Sequence, residues 1–262
     1  MKRIAIIGAG IAGLRAALEL STNSNYIIDI WDKSSSVGGR LATRRFGDKF
    51  VNHGLKKYND LDRLFSKDLK ALELKSLFED ETKPVTNLPK TLQEKILSNS
   101  TNAQFLFKKK VISIGLDGTI FIEDGEKFSY DHIIVTSPLE QTAAFFKEPL
   151  NIDVVYTKKI LFIGLINNEA TRIEMSDEFS EQYFELSDDE IRNEACKILD
   201  QDTKSLDLKK WRYSEVKTGI KQNYYTLNQK ITLAGDAFDP DSKYNMPSAW
   251  ISGMKAAKSI KG

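Results

Sequence analysis

The glycine pattern Gly8-x-Gly10-x-x-Gly13 constrains this chain most, because of what stands on either side of it. Arg3-Ile-Ala-Ile-Ile7 precedes it as a short apolar strand. Ile11, Leu14, Ala17, Leu18 and Leu20 follow it at helical spacing. Tyr26 to Trp31 read as a second strand. Strand, helix and strand thus fit within about thirty residues, the connection that makes parallel neighbours. Gly8 permits the tight turn out of the strand. Gly10 leaves the volume that a pyrophosphate needs, and Gly13 lets the helix lie close on the strand. The helix start, with Ile11 and Ala12 in its first turn, offers unpaired N–H groups to phosphates. A glycine-rich loop beside a surface acid would share the bare spacing. Here Asp32 closes the second strand, placed to accept the ribose hydroxyls of an adenosine, with Lys33 after it. Asp29 competes for that role but lies inside the strand pattern.

A length of 262 residues suits one nucleotide domain with a smaller inserted or appended part. With 38 basic and 37 acidic residues the net charge is +1, and nothing directs the chain to nucleic acid or an anionic membrane. No apolar run approaches the about 20 residues that span a bilayer. Met1-Lys2-Arg3 before an apolar stretch imitates a signal peptide. Glycines interrupt that stretch and no A-x-A site follows, so it reads as strand and turn. The single cysteine, Cys196, excludes an intrachain disulfide and a CxxC pair and fits a reducing compartment, the cytoplasm. It reads as a core residue of a helix over 188–199. His53 and His132 are the only histidines, so a His-rich metal site is not expected.

Further along, residues 60–80 and 92–97 suit amphipathic helices, with Pro84 and Pro89 as breaks. Strands are expected near 103–107, 110–116, 119–122, 132–136, 152–166, 208–213 and 230–234. Ser187 to Glu190 make a capping box before the 188–199 helix. Pro247 starts a C-terminal helix through Ile260. No internal repeat is visible.

Three more segments carry candidate chemistry, each with a plainer alternative. Gly38-Gly39-Arg40 suits a second helix start near phosphate, or a loose basic loop. Gly235-Asp236 follows a strand, where a carboxylate binds ribityl hydroxyls or caps a turn. The helix start at Ser248, Ala249 and Trp250 aims its dipole at a negative ligand, or is an ordinary helix whose Gly253 packs on a neighbour. His53 reads as a flavin neighbour or a structural strand-end histidine, and His132 as structural. Trp211 and Tyr213 alternate on one strand and line a cavity or fill a core.

Taken in order, GAGIAGLRAALEL, WDKSSSVGGRLATRRF, VNHGLKKY, YDHIIVTSPLEQTAAFF, KWRYSE, LAGDAF and SAWISGMKAA resemble the renalase-like flavoproteins of the wider FAD-dependent amine oxidase group. The resemblance implies an α/β fold with a doubly wound FAD domain and a smaller, sheet-containing second domain. It implies that Gly8, Gly10 and Gly13 hold the pyrophosphate, Asp32 the ribose, and Gly38, Gly39 and Arg40 a phosphate and the flavin side. It places the backbone of Val111 at the adenine and Asp236 at the ribityl-phosphate part. His53 and Gly54 come near the ring, and Ser248 to Trp250 reach the flavin O2/N1 edge. Asp32 stands where glutamate is usual, Ser248 where glycine is usual, and Asn52-His53-Gly54-Leu55 departs from an acid-led pattern. The segments between Tyr58 and Leu88 and between Asn167 and Asp188 are short for the group, so a thinner cover over the flavin is expected.

The division expected is 1–58, 100–150 and 228–262 for FAD and 59–99 and 151–227 for the cap. The expected activity is hydride transfer from a reduced nicotinamide or related small molecule to the flavin and on to oxygen. No catalytic acid or base is assigned. A non-catalytic flavin carrier and an amine oxidase are the alternatives.

Overall fold

Residues 1–41, 43–52, 54, 63–74, 87–199 and 203–260 are described by a computed structural model of the chain. β1 (Lys2–Ile7), β2 (Tyr26–Asp32), β5 (Ala103–Phe107), β9 (His132–Val135) and β14 (Ile231–Leu233) form a parallel sheet. β13 (Tyr225–Asn228) adds an antiparallel edge, giving the order β13-β14-β9-β1-β2-β5. β1 shows why the sheet is covered on both sides. Ile4 and Ile6 enter one apolar core, while Ala5 and Ile7 enter another.

The first core lies under α1 (Ile11–Leu20) and α7 (Met246–Ser259). Gly253 of α7 faces the Ala12 carbonyl of α1, and a Cβ there would stand 2.1 Å from that oxygen. Arg15 is buried between these helices, bonded to Asp68 at 2.8 Å and Glu19 at 3.0 Å. The second core lies under the antiparallel meander β6 (Val111–Ile114), β7 (Thr119–Ile122) and β8 (Lys127–Ser129). A short helix, α4 (Leu139–Ala143), follows β9.

A separate antiparallel sheet, β11-β10-β12, is built from β10 (Val155–Ile166), β11 (Glu169–Glu174) and β12 (Asp207–Thr218). α5 (Asp177–Tyr183) and α6 (Asp188–Cys196) cover one face, where Ile160, Phe162, Phe179 and Ile191 form a third core. The expected Ser187–Glu190 capping box is formed. The hairpin β3 (Thr43–Phe46) and β4 (Lys49–Asn52) packs on the other face, with Val51 against Leu161 and Ile163. Among the described residues no helix is long and apolar enough to cross a membrane.

Four expectations change. Gly38 and Gly39 start no helix: at φ 129° and 52° they bend the chain toward β3. α6 ends at Cys196, which is exposed, because Ile191 and Ala195 take the face against the sheet. α2 (Arg63–Ala71) and α3 (Asn87–Asn99), expected with the cap, bury Phe65, Leu69, Leu92 and Ile96 in the nucleotide core beside Leu14 and Leu18. Hairpin β3–β4, expected with the FAD part, packs on the cap sheet instead.

Replacing Gly253 by alanine tests the α1–α7 contact. Alanine favours a helix interior by about 1 kcal/mol, while overpacking costs about 1–3 kcal/mol. The clash is with a backbone oxygen, which cannot rotate away, so the clash wins. Gly253→Ala is expected to lower the thermal midpoint by several degrees; an unchanged or raised midpoint would show that the helices part without cost.

Candidate functional site

The chain passes from β1 to β2 on one side and later returns to β9 on the other. Ligands bind outside the strand ends at such a reversal. A cavity of about 760 Å³ opens there, toward the upper end of the about 300–1,000 Å³ usual for ligand sites.

The three glycines of the first turn do three different things. Gly8 lines the cavity at φ 107° and donates its N–H to Trp31 O at 2.8 Å. Gly10 lines it as the N-cap of α1, with nothing within 4 Å of where its Cβ would be. Gly13 lies behind the turn, where a Cβ would be 1.9 Å from Gly8 O. Ile11 and Ala12 complete this side of the cavity.

Asp32 lines the cavity and accepts the N–H groups of Ala9 and Ser34, each at 2.7 Å. It therefore ties the glycine turn to the loop after β2. Lys33 and Val111 stand on the same wall. Asp29 is buried and accepts from Arg3, Gln104 and Tyr130, so it is structural. Gly38 and Gly39 also line the cavity, and Gly38 N–H donates to Ala9 O at 3.0 Å.

The sequence reading sends Arg40 and Asp236 to separate parts of a ligand. Both line the cavity, but they bind each other through two parallel bonds of 2.6 and 2.7 Å. Arg40 also donates to the carbonyls of Tyr213 and Ser214. Burial pulls the Arg40 pKa down, but Asp236 lifts it further, so it sits above the ordinary value. The pair is a neutral clasp between the glycine loop, β12 and the end of β14.

The start of α7 also differs. Its N-cap is Asn245, and Met246 and Ala249 face the cavity. Ser248 and Trp250 do not line it. Ser248 donates its N–H to Asn245 Oδ1 at 3.0 Å, and its hydroxyl bonds to Asn245 and Asp239. Trp250 is fully buried, packed edge-on against Phe65, and donates its indole N–H to Asp68 at 2.5 Å. His53 lies outside the described residues. Gly54 lines the cavity, and a Cβ there would be 1.8 Å from Arg40 O. His132 sits in β9 with Nε2 2.9 Å from Thr232 Oγ1, and burial lowers its pKa.

The cap sheet supplies a further wall. Trp211 and Tyr213, the alternating aromatics of β12, both line the cavity, as do Lys159, Leu161, Arg172 and Glu174. Sequence reasoning missed the three charged residues, which sit in strands that look like solvated edges. The signal was the two-residue step from Lys159 to apolar Leu161. Glu174 bridges Lys159 at 3.3 Å and Arg172 at 2.8 Å, and Lys159 also reaches Asp177 at 2.5 Å. Burial lowers the Lys159 pKa, but Asp177 and Glu174 raise it more, so it stays a cation. Burial lowers that of Arg172 against the pull of Glu174.

Residues 6–70 match the model of the NAD(P)-binding Rossmann-like domain family. An L-amino-acid oxidase of Sistrurus catenatus edwardsii is 32% identical over 98 residues, covering 36% of this chain and 19% of that protein. One of Crotalus adamanteus is 29% identical over 106 residues, covering 40% and 20%. The chain thus spans about a fifth of the length of the curated relatives it matches. Among solved structures, a protein of Exiguobacterium sp. 255-15 assigned as a protoporphyrinogen oxidase superposes with a TM-score of 0.67 at 12% identity, covering 99% of this chain and 98% of that one. 2-Methyl-3-hydroxypyridine-5-carboxylic acid oxygenase gives 0.58 at 12% identity, over 100% of this chain and 82% of that one. These last two share the fold.

The open volume at Gly10, the acid at the end of β2 and the cavity at the strand reversal fit a dinucleotide. With the resemblance in the sequence and these matches, the cofactor is FAD.

Gly10 and Gly13 are expected to fail in different ways. Gly10 has a backbone open to side chains (φ −78°) and free space ahead of it, so Gly10→Val keeps the fold and loses FAD. Gly13→Ala places a methyl against Gly8 O and lowers stability with or without FAD. Flavin absorbance per protein and thermal melts of both apo forms check this. Normal flavin content in Gly10→Val would move the pyrophosphate away from this turn.

Proposed function

We propose that the chain is an FAD-dependent oxidoreductase of renalase-like type. It oxidises a reduced nicotinamide or a related small dihydro compound. The observation that carries this reading is the continuity of one cavity from the glycine turn to the cap-sheet wall of Lys159, Leu161, Trp211 and Tyr213. A cofactor held at the turn leaves that wall for a second, planar molecule. When bound, FAD would supply the two-electron chemistry, accepting a hydride from the donor, which leaves as the oxidised pyridinium, with the electron pair and that proton passing on to dioxygen and a second proton from solvent completing hydrogen peroxide.

The protein's own residues bind and orient. Gly8, Gly10 and the first turn of α1 hold the pyrophosphate, and Asp32 holds the ribose. Lys33 and Val111 flank the adenosine part, and Gly38 and Gly39 close over the phosphates. The Arg40–Asp236 clasp fixes the loop that backs them. Ala249 and Met246 bring the start of α7, with its dipole, to the cavity, in place of Ser248 and Trp250. Leu161, Trp211 and Tyr213 give the donor a largely apolar seat that excludes water.

Lys159 and Tyr213 are shifted away from neutrality, since Lys159 stays protonated and burial raises the Tyr213 pKa. Neither acts as a base at pH 7. Hydride transfer needs none.

Anaerobic mixing of the FAD-loaded protein with reduced nicotinamide isomers, followed by flavin absorbance, tests the reading. Bleaching by a dihydronicotinamide is expected. The matching snake proteins carry the name L-amino-acid oxidase, so L-amino acids form the second arm; bleaching by them alone would overturn the donor assigned here. A fully loaded flavin that no donor reduces would make the chain a flavin carrier.

The reduction rate is also expected to vary little between about pH 6 and pH 9, because the shifted groups on the wall do not change charge there. A break near about 6.5, the ordinary histidine value, would bring His53 into the step.

A further inference from the structure

Arg172 reaches out of β11 to the main chain at the end of hairpin β3–β4 and at Gly54, which abuts the Arg40 backbone. Its Nη1 donates to the carbonyls of Asn52 at 3.0 Å and Gly54 at 2.9 Å, while Nη2 donates to Glu174 at 2.8 Å. The side chain is 14% exposed. Arg212 of the same sheet behaves differently: it pairs with Glu185 in the open, where water and salt screen the contact. Because both acceptors of Arg172 Nη1 are backbone oxygens, the contact fixes the path of the chain.

That path has no slack on its other side. A Cβ at Gly54 would meet Arg40 O at 1.8 Å and the Trp211 ring at 3.1 Å. Gly54 is therefore wedged between the Arg40 backbone, Trp211 and the Arg172 guanidinium, and all four line the cavity. Val51 anchors hairpin β3–β4 on the sheet, and Thr43 bonds Asn52 across the hairpin at 2.8 Å, but neither contact sets Gly54.

The geometry points to Arg172 as a positioning residue. It fixes where Gly54 enters the cavity, and so the distance between the FAD cradle and the wall that seats the substrate. This rests on the oxidoreductase reading and deepens it. A guanidinium fork suits the task, since it serves two carbonyls and a carboxylate from one plane; an ammonium cannot hold all three in that geometry.

Arg172→Met and Arg172→Lys, both loaded with FAD, test the assignment. FAD content should match the wild type, because the glycine turn and Asp32 are untouched. Visible circular dichroism of the bound flavin should change. KM for a reduced nicotinamide should rise about tenfold or more, with a smaller change in kcat, because the seat for the donor is displaced while the cofactor cradle is not. Arg172→Lys should fall between wild type and Arg172→Met. A loaded Arg172→Met with wild-type dichroism and KM would overturn the proposal, even if its melting temperature fell, since that is what a merely structural arginine does. Should Arg172→Met not fold, Arg172→Lys is judged by the same two readouts. If no donor reduces the wild type, the functional reading fails, and the dichroism alone decides on Arg172.

Discussion

The structure depends on how closely helix α1 is held from both sides. Gly13 brings it onto the turn, where a methyl group would sit 1.9 Å from Gly8 O, and Gly253 brings α7 onto it, 2.1 Å from Ala12 O. Both contacts are backbone against backbone, so they leave no side chain to adjust. Their result is a helix start fixed against the ends of β1 and β2, with open volume only in front of Gly10. The cofactor cradle is the void left when the surrounding backbone can move no closer. Arg15 reinforces this from behind by pairing with Asp68 and Glu19 beneath Trp250.

Position in the sheet explains which parts of this were legible in the sequence. Ile4–Ile7 is a continuous apolar run, Tyr26–Trp31 is apolar apart from Asp29, and the glycine turn between the two strands has few alternatives. The same holds for Asp32 against Asp29: the acid at the strand end reaches the cavity, and the one inside the strand is enclosed by Tyr130, Gln104 and Arg3. The cap and hairpin were harder. Thr43-Arg-Arg-Phe46 is a strand whose polar positions face water, and Glu169–Glu174 is a strand rich in charge. Local pattern cannot separate either from a loop, because their apolar partners lie far away in sequence. The start of α7 was read one residue late because Pro247 outweighed the Asn245 cap, and Ser248 and Trp250 turn away from the cavity that Met246 and Ala249 line. Cys196 was misread because its helix turns Ile191 and Ala195 inward.

The arginines of the cavity and Lys159 on its cap side are arranged in pairs with acids. Arg40 meets Asp236, Arg172 meets Glu174, and Lys159 meets Glu174 and Asp177. A lone buried charge would cost several kcal/mol, whereas a paired and hydrogen-bonded one is tolerated. The pairing also neutralises most of the charge that the walls would otherwise present. The cap-sheet wall therefore presents fixed dipoles and aromatic surface more than net charge.

The same pairs decide how the two parts of the molecule stay in register. Arg40 leaves the glycine loop and ends on the carbonyls of β12, while Arg172 leaves β11 and ends on the carbonyls of Asn52, the last residue of β4, and Gly54. Arg40 crosses to the cap sheet, Arg172 ties that sheet to the hairpin end, and Gly54 lies between the Arg40 backbone and the Arg172 guanidinium. A single crossing would leave the cap sheet free to pivot about it. The Arg172 contacts at Asn52 and Gly54 resist that rotation, together with the apolar core that Tyr156 and Val216 of the cap sheet share with Val135 and Leu233 of the nucleotide sheet. The segment between Arg40 and Gly54 thus works as a joint held shut by charge-assisted hydrogen bonds, and its rigidity rests on backbone acceptors whose positions the sheet already determines.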